Sequence, residues 1–176
     1  MKPVSLVSFL VVLAACSSGE TAAPQPPSAA VAALLLANAP AGTATPVLAI
    51  KQAPPAGKVA VTGRINSIVK GAAAFTLMDP ALPYCGEKSP EDGCKTPWDY
   101  CCESKETRVQ NTLAVEARGA DGKPLPTPSL GDLRLLDRVI VTGSIEKDAH
   151  GNLVLLASGW FREQRPTLAD GLRWPQ

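Results

Sequence analysis

The sequence is poor in aromatic residues, and its charges of opposite sign almost cancel. Aromatic side chains make up 5% of the 176 residues, and 17 Lys and Arg stand against 16 Asp and Glu. A nucleic-acid-binding surface needs a basic face or aromatic stacking platforms, because neutralised phosphates and stacked bases supply its affinity. The composition therefore argues against a nucleic-acid partner.

Sequence motifs of the common catalytic sites are also missing. The chain has no Gly-x-Ser-x-Gly elbow, phosphate-binding loop, dinucleotide fingerprint or zinc-protease motif. Its one histidine, His150, stands beside Gly151 in a predicted surface turn, a poor position for the base of a serine triad. The prediction is a protein that is not an enzyme.

One apolar run stands out, near the N-terminus. Lys2 precedes an apolar stretch at 4–13, which ends in Leu-Ala-Ala-Cys at Cys16. A membrane-spanning helix needs about 20 residues, so this shorter stretch is predicted to be the core of a signal peptide. The ending resembles the lipobox of bacterial lipoproteins, in which the cysteine is acylated and becomes the new N-terminus.

The lipobox resemblance implies an exported protein that lipid on Cys16 holds in the cell envelope, at the outer membrane and facing the periplasm. It divides the chain into a signal peptide at 1–15, a flexible tether at 16–30, a folded domain at 31–164 and a tail at 165–176. The expected partners are the membrane, through the lipid, and an envelope protein or small ligand. Thiols in such an oxidising compartment tend to pair as disulfides.

From Lys58 onward the pattern is that of β-strands separated by turns. Alternating or β-branched runs predict five strands, at 58–69, 73–79, 108–119, 138–148 and 152–163. Between the third and fourth, Ser129 and Asp132 have the spacing of a capping box and leucines recur every three residues. This connection is predicted to form one or two turns of helix. Gly151 is available for a positive φ in the last hairpin.

The order of three strands, a helical connection and two strands resembles the OB-fold, a five-stranded Greek-key barrel. The first and fourth strands match each other at 59–65 and 139–145, as they often do in such barrels. Leu136 stands where the pattern usually has glycine. The resemblance implies a fold that is all-β in the main, with a cysteine-rich loop after the second strand.

The same resemblance implies where a ligand binds. OB-like barrels use the face of the second and third strands, which here carries Thr76, Met78 and Thr112. Individual contact residues are not assigned, because the facing of these side chains is not fixed by the pattern. The predicted function is a non-catalytic binding or scaffolding module of the cell envelope.

The cysteine-rich loop occupies residues 80–107. It carries Cys85, Cys94, Cys101 and Cys102, which are separated by eight residues, six residues and none. The segment Cys-Lys-Thr-Pro-Trp-Asp-Tyr-Cys-Cys is similar to a loop of uncharacterised exported bacterial proteins. That similarity implies an architecture and no activity.

A helix start is predicted just before the cysteine pair. Thr96 has the position of a cap, Pro97 that of the first helical residue, and Asp99 that of the acidic residue whose side chain reaches back. Neighbouring side chains on a helical turn point about 100° apart. Cys101 and Cys102 are therefore expected to reach two different partners.

Three uses of the four thiols compete. The first is two disulfides that join Cys85 and Cys94 to Cys101 and Cys102, in either pairing and without a cofactor. The second is a metal centre for zinc, copper or an iron–sulfur cluster, although the usual pairs of cysteines two to four residues apart are missing. The third is a catalytic thiol–disulfide centre, which lacks its Cys-x-x-Cys spacing.

Overall fold

The chain folds mainly into β-strands, as seen in a computed structural model that describes residues 25–89, 91 and 94–168. The described strands are β1 (Thr45–Pro46), β2 (Lys58–Ile68), β3 (Ala74–Met78), β4 (Thr112–Glu116), β5 (Arg138–Lys147) and β6 (Leu153–Gln164). The described helices are short: α1 (Ala29–Ala32), α2 (Val47–Gln52), α3 (Cys85–Lys88) and α4 (Lys105–Gln110). Cys16 and the predicted signal peptide lie outside the described residues.

The strands form one mixed sheet in the order β1-β2-β3-β4-β6-β5. The second half of β2 pairs antiparallel with β3, whereas its first half pairs antiparallel with β5. A register shift between Ile65 and Ser67 lies near this change of partner, as expected of a bulge that bends a strand. The fold is thus mainly β, as predicted, and forms one six-stranded mixed sheet in place of the clean five-stranded barrel of the prediction. The two-residue β1 adds a parallel strand beside β2.

Side chains on alternate strand positions build the main core. Val61 and Ile65 of β2 face inward with no exposed surface, as the period of two requires. The rings of Phe75 and Trp160 meet edge to face at 5.7 Å. Val31 of α1 also belongs to this core, so the N-terminal segment packs onto the domain. Among the described helices, none is long and apolar enough to cross a membrane.

The first, second, fourth and fifth predicted strands are confirmed within about two residues. The third is wrong at its start: β4 begins at Thr112, and the preceding residues form α4. Ser104 is the N-cap of α4, because its Oγ accepts a hydrogen bond from the Thr107 backbone N–H at 3.1 Å. This capping signal was present in the sequence and outweighs the β-branched residues that favoured a strand.

The predicted helical connection between the third and fourth strands is also wrong, because this segment forms turns. Gly131 and Leu136 both have a positive φ, of 77° and 67°, which a right-handed helix does not allow. Leu130 and Leu133 are nevertheless buried in the main core. The three-residue spacing of the leucines therefore reflects burial along successive turns.

Leu136 holds an unusual backbone conformation for a leucine. Its N–H donates to the Ile65 carbonyl at 2.7 Å, and the Ile65 N–H donates to the Asp137 carbonyl at 2.9 Å, which fixes the turn against β2. A left-handed residue with a Cβ costs roughly 1–2 kcal/mol. The side chain offsets this cost by its burial in a second apolar cluster, whose buried members are Met78, Tyr84, Tyr100 and Leu136.

We expect Leu136→Gly to destabilise the protein less than Leu136→Ala. Both changes remove the buried side chain, at a cost of roughly 2–5 kcal/mol, but glycine alone also relieves the positive φ, by about 1 kcal/mol. Urea unfolding midpoints measure the difference. Leu133, which is buried without a positive φ, is the matched control and should show the opposite order. The same order at both positions would contradict the strain at Leu136.

Candidate metal centre

The loop between β3 and β4 brings the four predicted cysteines together. The Sγ atom of Cys85 lies 3.3 Å from that of Cys101 and 3.4 Å from that of Cys102. The Sγ atoms of these three residues all lie within 4.8 Å of one another, and we name them the thiol cluster. Cys94 lies beside it, with its Sγ 3.9 Å from that of Cys101.

All four cysteines of the loop are free thiols in the structure. A disulfide requires an S–S distance of about 2.0 Å, whereas the shortest separation is 3.3 Å. The predicted disulfides therefore stay a prediction. Cys101 and Cys102 both contact Cys85, and Cys101 also lies near Cys94, so the expectation that the two reach different partners stays a prediction.

The cysteine pair converges because the predicted helix before it does not form. Residues 97–102 make successive turns, closed by hydrogen bonds from the Asp99 N–H to the Thr96 carbonyl and from the Glu103 N–H to the Tyr100 carbonyl. The Asp99 carboxylate does not reach back towards Thr96. It accepts from the next residue, the Tyr100 N–H, at 2.7 Å, and such local bonds compete with helix formation.

Backbone hydrogen bonds hold the two arms of the loop together. The Cys85 N–H donates to the Asp99 carbonyl at 2.8 Å, and the Gly86 N–H donates to the Pro97 carbonyl at 2.6 Å. These bonds place the start of α3 against the segment that leads into the cysteine pair. The Cys85 thiol is buried there, whereas Cys101 and Cys102 are exposed.

Aromatic residues that neighbour the cysteines in the chain are buried in the second apolar cluster. Tyr100 and Tyr84 are buried with Met78 in the second apolar cluster, and Trp98 packs against it. Aromatic residues beside the cysteines therefore serve to anchor the loop. Burial raises the pKa of Tyr100 to about 12, and its hydroxyl has no hydrogen-bond partner among the described residues.

Two ion pairs tie down the edges of the loop. Arg64 of β2 contacts Glu87 at 3.0 Å and also donates to the Leu82 carbonyl at 2.9 Å. Lys88 contacts Glu103 at 2.7 Å. The carboxylates of Glu87 and Glu103 are thus engaged by cations, and the ligand atoms that the loop brings together are sulfur.

The thiols differ in acidity. Burial is the main cause that raises the pKa of the Cys85 thiol, and the contact with Cys85 raises that of Cys101. Hydrogen bonds from the backbone and hydroxyl of Thr96 lower the pKa of Cys94, because they stabilise the thiolate. Of these three thiols, Cys94 ionises most readily.

The donor set fits a soft metal ion. Thiolates select Cu(I), zinc and iron–sulfur clusters over hard ions. A zinc–sulfur bond of about 2.3 Å gives a tetrahedral S–S edge of about 3.8 Å, against 3.3 Å, 3.4 Å and 3.9 Å between these sulfur atoms. The two Cys85 distances fall a few tenths of an ångström short of that edge and the Cys94–Cys101 distance matches it, so these contacts are compatible with ligation although the sequence lacks the usual cysteine pairs.

A second concave region lies on the face of β3 and β4 that was predicted to bind a ligand. Two adjoining cavities of about 300 Å³ and 550 Å³ meet at Val109 and Thr112, and their walls include Met78 and Thr76 respectively. Lys51 of α2, which the sequence did not single out, lines the larger cavity, and its Nζ donates to the Val109 and Thr112 carbonyls at 2.6 Å and 3.0 Å. Nothing in the β-strand pattern indicates this lysine.

Comparisons with protein-family models, with curated proteins and with solved structures find no match to this chain. The resemblances to lipoproteins and to exported proteins with a similar loop therefore stay predictions. An assignment of function rests on the chain's own residues, and among the described residues the thiol cluster offers the most specific chemistry.

Proposed function

We propose that this chain is a metal-binding protein of the cell envelope whose cysteine loop holds a zinc or copper(I) ion. The observation that supports the proposal most is the thiol cluster. Two separate segments of the loop place three sulfur atoms within 4.8 Å of one another. An all-sulfur donor set binds soft ions and excludes calcium and magnesium, which take oxygen ligands.

Each ligand has a distinct place in this proposal. Cys85 is the buried ligand at the start of α3, and Cys101 and Cys102 are the exposed ligands across the loop. Cys94 lies near enough to Cys101 to serve as a fourth. Because metal binding adds to folding free energy where the ligands come from separate segments, the ion would fasten the loop over the second apolar cluster.

Protein purified without oxidation should bind about one equivalent of zinc or Cu(I). Cys85→Ser and Cys102→Ser should weaken binding by roughly 100-fold or more, because each removes a direct ligand. Metal analysis and competition titration with a chromophoric chelator measure both effects. His150→Ala is the control, since this residue lies in the exposed hairpin before β6, and it should bind as the unmodified chain does.

Thiol counting separates the metal centre from the disulfides. Protein that is denatured without reductant should show four reactive thiols in the loop once the metal is removed. Two disulfides with no bound metal would overturn the proposal and support the paired arrangement. The count follows directly from the chemistry of the four residues, because only a free thiol reacts with a thiol reagent.

Export and lipid attachment enter the proposal from the sequence alone, since Cys16 lies outside the described residues. A lipid-anchored protein should sediment with membranes and carry the mass of its acyl chains. Cys16→Ser should release the protein from the membrane fraction and remove that mass, as measured by fractionation and mass spectrometry. A variant that stays with the membranes at unchanged mass would show that Cys16 is not acylated.

A second candidate function is an OB-like binding module. The strand pairing supports it, because β2 pairs with both β3 and β5 while β4 and β6 run parallel, so five strands form a ring of neighbours. The two adjoining cavities on the β3–β4 face support it further. OB-like domains bind oligosaccharides and oligonucleotides on this face. The nearly neutral charge of the chain favours oligosaccharides, the uncharged class of ligand.

Short oligosaccharides are the probe for this second function. They should shift the backbone amide signals of β3 and β4 in a titration followed by NMR, and Thr76→Arg should weaken binding by about tenfold or more by filling the cavity. Thr142→Arg is the matched control, because Thr142 lies on β5 and bonds to Ser158 of β6, away from both cavities. Equal effects of the two arginine variants would count against a site on this face.

A further inference from the structure

The four thiols of the loop do not hold equivalent positions. The Sγ atoms of Cys85, Cys101 and Cys102 lie within 4.8 Å of one another, and Cys94 stands outside this group. The Sγ atom of Cys94 lies 3.9 Å from that of Cys101 and also 3.9 Å from the Thr96 hydroxyl. The loop therefore offers three clustered thiols as ligands, and Cys94 is a neighbour of the cluster and not a fourth equivalent ligand.

The three clustered thiols are also the ones that the fold fixes most directly. Two backbone hydrogen bonds anchor Cys85 and Gly86 across the loop. The cysteine pair follows Tyr100, which is 1% exposed, and the next turn is closed by the Glu103 N–H on the Tyr100 carbonyl. Burial of this tyrosine therefore sets the position from which the pair reaches Cys85.

An ion held by this cluster would be open to water on one side. Cys101 and Cys102 are exposed and Cys94 is half-buried. Structural zinc sites are closed and almost always have four ligands, whereas sites that exchange a ligand keep one position open. Three thiolates with an accessible fourth position suit Cu(I), the softest of the candidate ions.

We infer that the thiol cluster is a three-coordinate site for copper(I), and that Cys94 is an exchange ligand through which the ion passes to or from a thiol-bearing partner. This inference rests on the proposed metal-binding function and deepens it. In the exchange, the Cys94 sulfur bonds to the ion as one copper–sulfur bond of the cluster breaks. Sulfur atoms of the partner then replace the remaining loop sulfurs one at a time, each copper–sulfur bond forming as another breaks. The proton of the incoming thiol moves to the released thiolate, and copper stays monovalent throughout.

The test uses the full-length mature chain, loaded anaerobically with one equivalent of Cu(I). Cys94→Ser should keep one bound ion with an affinity within about threefold, whereas Cys101→Ser should lose roughly 100-fold. Transfer of the ion to glutathione, the thiol acceptor in the test, should be about tenfold slower in Cys94→Ser. X-ray absorption should find three sulfur ligands in both the unmodified chain and Cys94→Ser.

His150→Ala is the control, because it changes an exposed residue of the hairpin before β6 and leaves all four thiols and Thr96 in place; it should transfer the ion at the rate of the unmodified chain. Four sulfur ligands, or equal affinity losses for Cys94→Ser and Cys101→Ser, would overturn the inference and leave the metal-binding function intact. Unchanged transfer in Cys94→Ser would overturn the exchange role. Failure of the unmodified chain to bind either Cu(I) or zinc would overturn the proposed function itself.

Discussion

Leu136 is buried in one apolar cluster with Tyr84 and Tyr100, the residues that directly precede Cys85 and Cys101 in the chain. This contact joins the turn before β5 to the cysteine loop, two segments that lie far apart in the sequence. It also offsets a left-handed backbone at Leu136, which costs roughly 1–2 kcal/mol for a residue with a Cβ. The backbone strain at Leu136 is therefore offset by apolar contacts that anchor the cysteine loop to the sheet.

The second apolar cluster explains how a loop with few apolar residues of its own keeps a defined shape. Arg64 links it to β2 through Glu87 and the Leu82 carbonyl, and the backbone bonds of Cys85 and Gly86 join its two arms. Exposed ion pairs contribute about 1 kcal/mol or less, so the buried aromatic contacts carry most of the anchoring. A bound ion would add to this anchoring by joining the two arms of the loop.

Sequence reasoning located the strands better than the loop. Alternation in β2 and β5 follows from their one buried face, and this pattern is visible in the residues themselves. The convergence of Cys101 and Cys102 on Cys85 was not visible in the sequence. It depends on the Asp99 carboxylate, which accepts a hydrogen bond from the Tyr100 N–H and does not cap a helix. In the sequence, Leu136 stood out only because it occupies a position where the OB-fold pattern usually has glycine. Its contacts with the cysteine loop are tertiary and are not visible in the sequence.

The distances between the sulfur atoms bear on both the proposed metal centre and the predicted disulfides. The Cys85 Sγ atom lies almost equally far from both exposed cysteines, at 3.3 Å and 3.4 Å, and a disulfide can use only one of them. A Cys85–Cys102 bridge would leave Cys94 with its near neighbour Cys101, so oxidation would favour that pairing over the alternative. An ion would use both contacts of Cys85 at once, and this is the geometric argument for the proposed metal centre.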